Sequence, residues 1–135
     1  MANYEIVDHT ADWALRIWGQ DLADLLLNAA VGMNSLMIGD EITSPPNITR
    51  PLTLDAFDPE TLLVDWLTEL AYFAEMEQII FPTIALSNVT PTHLEAQIQG
   101  SRVSELSKHI KAVTYHNLAI METKNGLETT IVFDV

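Results

Sequence analysis

Apolar positions along the chain recur with two different periods. Near the N-terminus Trp13, Leu15 and Ile17 alternate with Ala14, Arg16 and Trp18, the two-residue period of a half-buried strand, and Tyr4 to Val7 is a shorter run of the same kind. Between them lies the polar segment Asp8-His9-Thr10-Ala11-Asp12, so a pair of strands joined at an acidic turn is predicted. From Asp21 the period lengthens: Leu22, Leu25, Leu26, Ala29, Met33, Leu36 and Met37 follow the i, i+3, i+4 spacing of an amphipathic helix, capped by Asp21 and ended at Gly39-Asp40. Gly32 costs such a helix about 1 kcal/mol relative to Ala, which implies close packing at that point. Pro45-Pro46-Asn47 reads as a loop, and Ile48 to Leu54 as a strand in which Pro51 marks an edge position.

A second helix starts at Asp58-Pro59-Glu60, an N-cap followed by Pro at the first helical position, and is predicted to run to about Glu75. Its apolar face is Leu62, Leu63, Trp66, Leu67, Leu70, Phe73 and Ala74, while Asp65, Glu69 and Tyr72 form another stripe that either contacts a partner or stays solvated. After it the chain turns β-rich, with strands expected over Ile79 to Ser87, Leu94 to Gln99, Ala112 to Glu122 and Leu127 to Phe133. Asn125-Gly126 is the sequence of a type I′ hairpin turn, which needs positive φ at both central residues. Two helices among strands joined partly by tight turns predict an α+β fold, a single domain over residues 1–135 with a mainly antiparallel sheet and both amphipathic helices packed on it.

Composition narrows the function. No apolar stretch reaches the roughly 18 to 20 residues of a membrane span, no signal peptide is legible, and the chain has no cysteine, so a cytoplasmic location without disulfides or thiolate chemistry is expected. Nineteen acidic residues against six basic ones give a formal charge of -13, which disfavours direct contact with RNA or DNA and either attracts a basic partner protein or serves solubility alone. Three of the six cations, Arg102, Lys108 and Lys111, fall within one short segment that suits a phosphate, an acidic spot on a partner or a nearby carboxylate.

The acidic segment near the start and Phe133-Asp134-Val135 at the other end are the candidate chemistry. If the fold joins them, Asp8, Asp12, Asp134 and the carboxylate of Val135 form a hard, oxygen-rich pocket that favours Ca²⁺, Mg²⁺ or Mn²⁺ over zinc. Converging carboxylates repel one another, and a bound cation relieves that repulsion. The competing assignment for each aspartate is an Asx-type bond to nearby backbone amides. His116 reads as a half-buried strand histidine held by hydrogen bonds; a hydrolytic set of His9, Asp12 and His116 is conceivable, but no G-x-S-x-G, Walker or H-E-x-x-H motif accompanies it.

Asp8-His9-Thr10-Ala11-Asp12, the helical block Leu62 to Leu70, Lys111-Ala112-Val113-Thr114-Tyr115-His116 and the terminal Phe133-Asp134-Val135 together resemble the archease family in order and spacing. The resemblance implies a protein that is not itself an enzyme but a cofactor of the GTP-dependent RNA ligase of tRNA splicing and RNA repair, promoting guanylylation of the ligase and its multiple turnover. It implies a divalent cation, Ca²⁺ before Mg²⁺ or Mn²⁺, held by Asp12, Asp134 and Val135, and a role in activation for Lys111; His9, in the same block as Asp12, is a further candidate close behind the ligands. Departures from the family pattern lie at Ser101 and Ser104, in the short stretch from Gly100 to Lys111, and at Trp13-Ala14-Leu15. The alternatives are an acidic, chaperone-like interaction module and a metal-dependent hydrolase.

Overall fold

The computed structural model describes residues 3–8, 12–39 and 44–135. Ten elements follow one another: β1 (Tyr4–Asp8), β2 (Asp12–Gly19), α1 (Leu22–Ile38), β3 (Ile48–Asp55), α2 (Pro59–Glu77), β4 (Ile79–Thr90), β5 (His93–Arg102), β6 (Ala112–Thr114), β7 (Met121–Thr123) and β8 (Gly126–Asp134). All strand pairs are antiparallel. They form two sheets, one ordered β1-β2-β8-β6 with β7 also on β8, the other β3-β5-β4. The α+β expectation holds, with the strands divided between two sheets rather than gathered in one.

Alternation in β2 turns Leu15 and Ile17 into the core beside Ile131 and Phe133 of β8, leaving Arg16 on the other face in an ion pair with Glu128 at 2.6 Å. Both helices start where their caps predict: the Asp21 carboxylate accepts the Asp24 N–H at 2.9 Å, and the Asp58 carboxylate accepts the Thr61 N–H at 2.7 Å. Helix α1 ends at Gly39, whose φ of 59° is accessible to glycine at little cost. Helix α2 runs two residues past the expected end, because neither Gly nor Pro interrupts it until Gln78 takes the left-handed cap at φ 54°. The helices are tied together by Trp66, fully buried, whose Nε1 donates to the Leu26 carbonyl at 2.9 Å. Gly32 faces β1 and β2: a Cβ there would lie 2.9 Å from the Leu15 methyls and from the Tyr4 ring, so the close packing implied by its position is observed.

Pro51 lies within β3, an edge strand of its sheet, where its missing N–H costs no ladder bond. Three expectations are corrected. The predicted strand over 112–122 is broken into β6 and β7 by a turn in which Asn117 has φ 50°, the Ile120 N–H is captured by Glu60 of α2 at 2.9 Å, and the Ala119 carbonyl accepts the Thr129 hydroxyl at 2.8 Å. His116 falls in that turn and is exposed, not a half-buried strand residue. The last hairpin forms, but Lys124 and Asn125 occupy the turn and Thr123 pairs with Gly126. Only Gly126 of these has positive φ, 133°, since it is pressed against the end of β2, where a Cβ would lie 2.2 Å from the Gly19 carbonyl oxygen. No helix of the described residues is long and apolar enough to cross a membrane.

Candidate functional site

The two ends of the chain meet in the first sheet. Strand β8 lies between β2 and β6, and its register sets Asp134 directly opposite Asp12 on one side and Ala112 on the other. Residues paired across an antiparallel ladder share a face with Cβ atoms roughly 5 Å apart, so the two carboxylates stand side by side. The Lys111 N–H donates to the Asp134 carbonyl oxygen at 2.7 Å, fixing the segment before β6 to the end of β8. One residue earlier, Phe133 is fully buried opposite Trp13, which anchors the strand end and holds the acidic rung in place.

Trp13 is half-buried, and the Lys108 ammonium sits 4.2 Å from the centre of its ring. This cation–π contact brings the basic segment to the same end of the sheet. Val103, Leu106 and Ile110 are buried, so the segment is packed in place and is not a free loop. Its backbone is secured by the Ser107 N–H on the Met37 carbonyl at 2.7 Å and the Ile110 N–H on the Glu75 carboxylate at 3.1 Å. Of the three cations read together in the sequence, Arg102 is spent on the Glu77 carbonyl at 2.9 Å, Lys108 on Trp13, and Lys111 is exposed with no ion pair among the described residues.

The family model of the Archease protein family matches residues 4–135. The chain belongs to the archease family. The curated protein archease of Methanosarcina barkeri is 33% identical over 140 residues, covering 98% of this chain and 95% of its own length. That of Saccharolobus islandicus is 33% identical over 140 residues and covers both chains completely. Among solved structures, protein 1598 of Methanobacterium thermoautotrophicum superposes with a TM-score of 0.79 at 24% identity over all of both chains. The Thermotoga maritima archease, described as a possible chaperone, does so with a TM-score of 0.68 at 20% identity, covering 97% of this chain and 96% of its own. These last two show that the fold is the archease fold.

Of the residues expected to hold a cation, Asp12 and Asp134 are brought together and Val135 follows directly, half-buried and packed against the core. Lys111 is joined to the same rung through its backbone. His9 lies outside the described residues, as do Thr10 and Ala11. Among the described residues no three His, Cys, Asp or Glu side chains gather as a metal-binding group. The pair Asp12 and Asp134 is a set of hard oxygen donors consistent with a divalent cation, and it is incomplete without further oxygens. Sequence reasoning missed Glu75, which holds the basic segment through both His109 at 3.0 Å and Ile110, and the contact of Lys108 with Trp13. Their only signal was a carboxylate and an aromatic ring at positions that helix and strand periodicity left half-buried.

Proposed function

We propose that this archease activates a GTP-dependent RNA ligase, promoting guanylylation of the ligase and multiple turnover in tRNA splicing and RNA repair. The observation that carries the reading is the Asp12–Asp134 rung, where two acidic blocks from opposite ends of the sequence become neighbours. Asp12, Asp134 and Val135 would hold a divalent cation, Ca²⁺ before Mg²⁺ or Mn²⁺, which would supply positive charge between carboxylates that otherwise repel. Lys111, exposed and anchored beside them, would present its ammonium to the nucleotide or phosphate side of the ligase. The chain's own contribution is positional: the buried Phe133 and the paired strands hold the acidic tip rigid, so that it orients groups of the ligase without covalent chemistry. The formal charge of -13 suits a basic, RNA-handling partner and argues against direct contact with RNA.

The test is multiple-turnover RNA ligation by the ligase of the same source, with GTP and Mn²⁺, with this chain and with its Asp134→Ala form. Stimulation by the native chain that is lost in Asp134→Ala is expected. Equal stimulation by both would remove the acidic rung from the mechanism, and no stimulation would turn the reading toward an interaction module of the kind that the description of the Thermotoga protein suggests.

A further inference from the structure

We infer that the solvent-facing stripe of α2, entered at Phe57 and ending at Met76, is the face on which the archease receives a basic surface of its ligase; the inference rests on the reading above. Phe57 is 95% exposed immediately before the α2 cap, and Tyr72 and Met76, at 55% and 68%, lie one turn apart near its other end. From Thr61 to Met76 the stripe is about 22 Å long at 1.5 Å per residue, within the span of a standard interface of roughly 800 Å² per partner. Each end has a hollow. Phe57, Ala56, Thr61, Asp55 and Asp65 line a cavity of about 420 Å³, and Tyr72, Met76, Ala71, Ile110, Val113 and Lys111 contribute to another of about 210 Å³. The second opens next to Lys111, whose N–H is bonded to Asp134, so the stripe runs into the acidic rung.

The carboxylates of α2 divide into two kinds. Glu60, Glu75 and Glu77 are consumed inside the fold, the first two by the N–H groups of Ile120 and Ile110 and the third by the Arg50 guanidinium at 3.2 Å. Asp65 and Glu69, between the exposed aromatics, have no hydrogen bond or ion pair among the described residues. Asp65 is partly withdrawn from water, and burial pushes its carboxyl above the usual range, so a cation placed there recovers an interaction that the isolated chain lacks. A guanidinium or ammonium entering beside the open ring of Phe57 gains the cation–π attraction as well. A second copy of this chain would bring the same excess of carboxylates to the face, and RNA would bring phosphates. Like charge opposes both, which leaves a basic protein surface with an apolar side chain for the hollow between α2 and residues 110–113.

Binding of the native chain to the immobilised cognate ligase tests the assignment, alongside Phe57→Ala, Tyr72→Ala, the pair Asp65→Asn with Glu69→Gln, and Val31→Ser on the exposed side of α1 as a control. Because the ring of Phe57 is almost wholly in water, its removal leaves the core intact, which circular dichroism checks. Phe57→Ala and Tyr72→Ala are expected to weaken binding at least tenfold and to raise the concentration for half-maximal ligation by the same factor. The double charge variant is expected to weaken it strongly at low salt and less as salt rises, with Val31→Ser behaving as the native chain. Native stimulation with unchanged affinity in all variants overturns the docking face and leaves the ligase reading intact; a native chain that neither binds nor stimulates overturns both. Variants that alter only self-association of the chain also overturn it, assigning the face to a second copy.

Discussion

Asp134→Asn removes one of two carboxylates that the β2–β8 register sets side by side while keeping the shape of the side chain. With the paired Cβ atoms roughly 5 Å apart, two unit charges at about that separation repel by about 1 kcal/mol in the water limit. Asp134 is exposed and Asp12 half-buried, so that limit is the closer one, and solvent screening trims the figure further. With cations chelated, Asp134→Asn should therefore be more stable than the native chain by roughly 0.5 kcal/mol, or about 2 °C in Tm at this size. A cation bound at the rung reverses the order. At a concentration of a hundred times its Kd it stabilises the native chain by about 2.7 kcal/mol, and a site with one carboxylate fewer gains less. Thermal denaturation followed across a Ca²⁺ or Mn²⁺ titration from an excess of chelator should thus give two curves that cross. Parallel shifts of the two proteins would refute the shared site, and a native chain already more stable under chelation would refute the repulsion.

Gly32→Ala sets helix propensity, about 1 kcal/mol in favour of Ala, against a methyl placed 2.9 Å from the Leu15 methyls and the Tyr4 ring. Overpacking of about 1–3 kcal/mol wins, so urea denaturation should show a net loss near 1 kcal/mol, and a gain would mean that β1 yields freely. Trp66→Ala empties a fully buried site and deletes the bond to the Leu26 carbonyl, for an expected loss of about 3–5 kcal/mol in the same assay; a loss under 1 kcal/mol would place the tie between the helices elsewhere. His93 bridges Glu95 at 2.9 Å and Asp55 at 2.7 Å, and these bonds, Glu95 first, raise its pKa from the ordinary 6.5 while His93 lowers that of Glu95. The histidine's contribution is complete below its ordinary value and fades as pH rises through the raised one, whereas that of Glu95 fades only in acid. The Tm gap between the native chain and His93→Gln should therefore be widest near about pH 5.5 and close toward about pH 8.5; a gap that widens with pH would contradict the bridge.

Local periodicity carried much of the fold. The alternation of Trp13, Leu15 and Ile17 requires a strand with one buried face, the caps Asp21 and Asp58 start their helices within a residue, and Gly32 marks a contact that a Cβ would crowd. Each of these is decided by atoms a few residues apart, or by the need to bury one stripe, so the chain displays it without a partner element in view. The family blocks were legible for the same reason, since their order along the chain needs no coordinates. What no local pattern expresses is pairing between distant segments. That Asp12 and Asp134 form one rung depends on the β2–β8 register, and a slip of one residue would turn one carboxylate into the core. The break between β6 and β7 depends on Glu60 of a distant helix taking the Ile120 N–H, and the position of the last turn depends on Gly126 meeting Gly19. Burial of Val103, Leu106 and Ile110 without a helix likewise follows from partners on α1 and α2. Elements arose from the sequence's own periods; the acidic site and the surface around it arose only when packing chose which elements would touch.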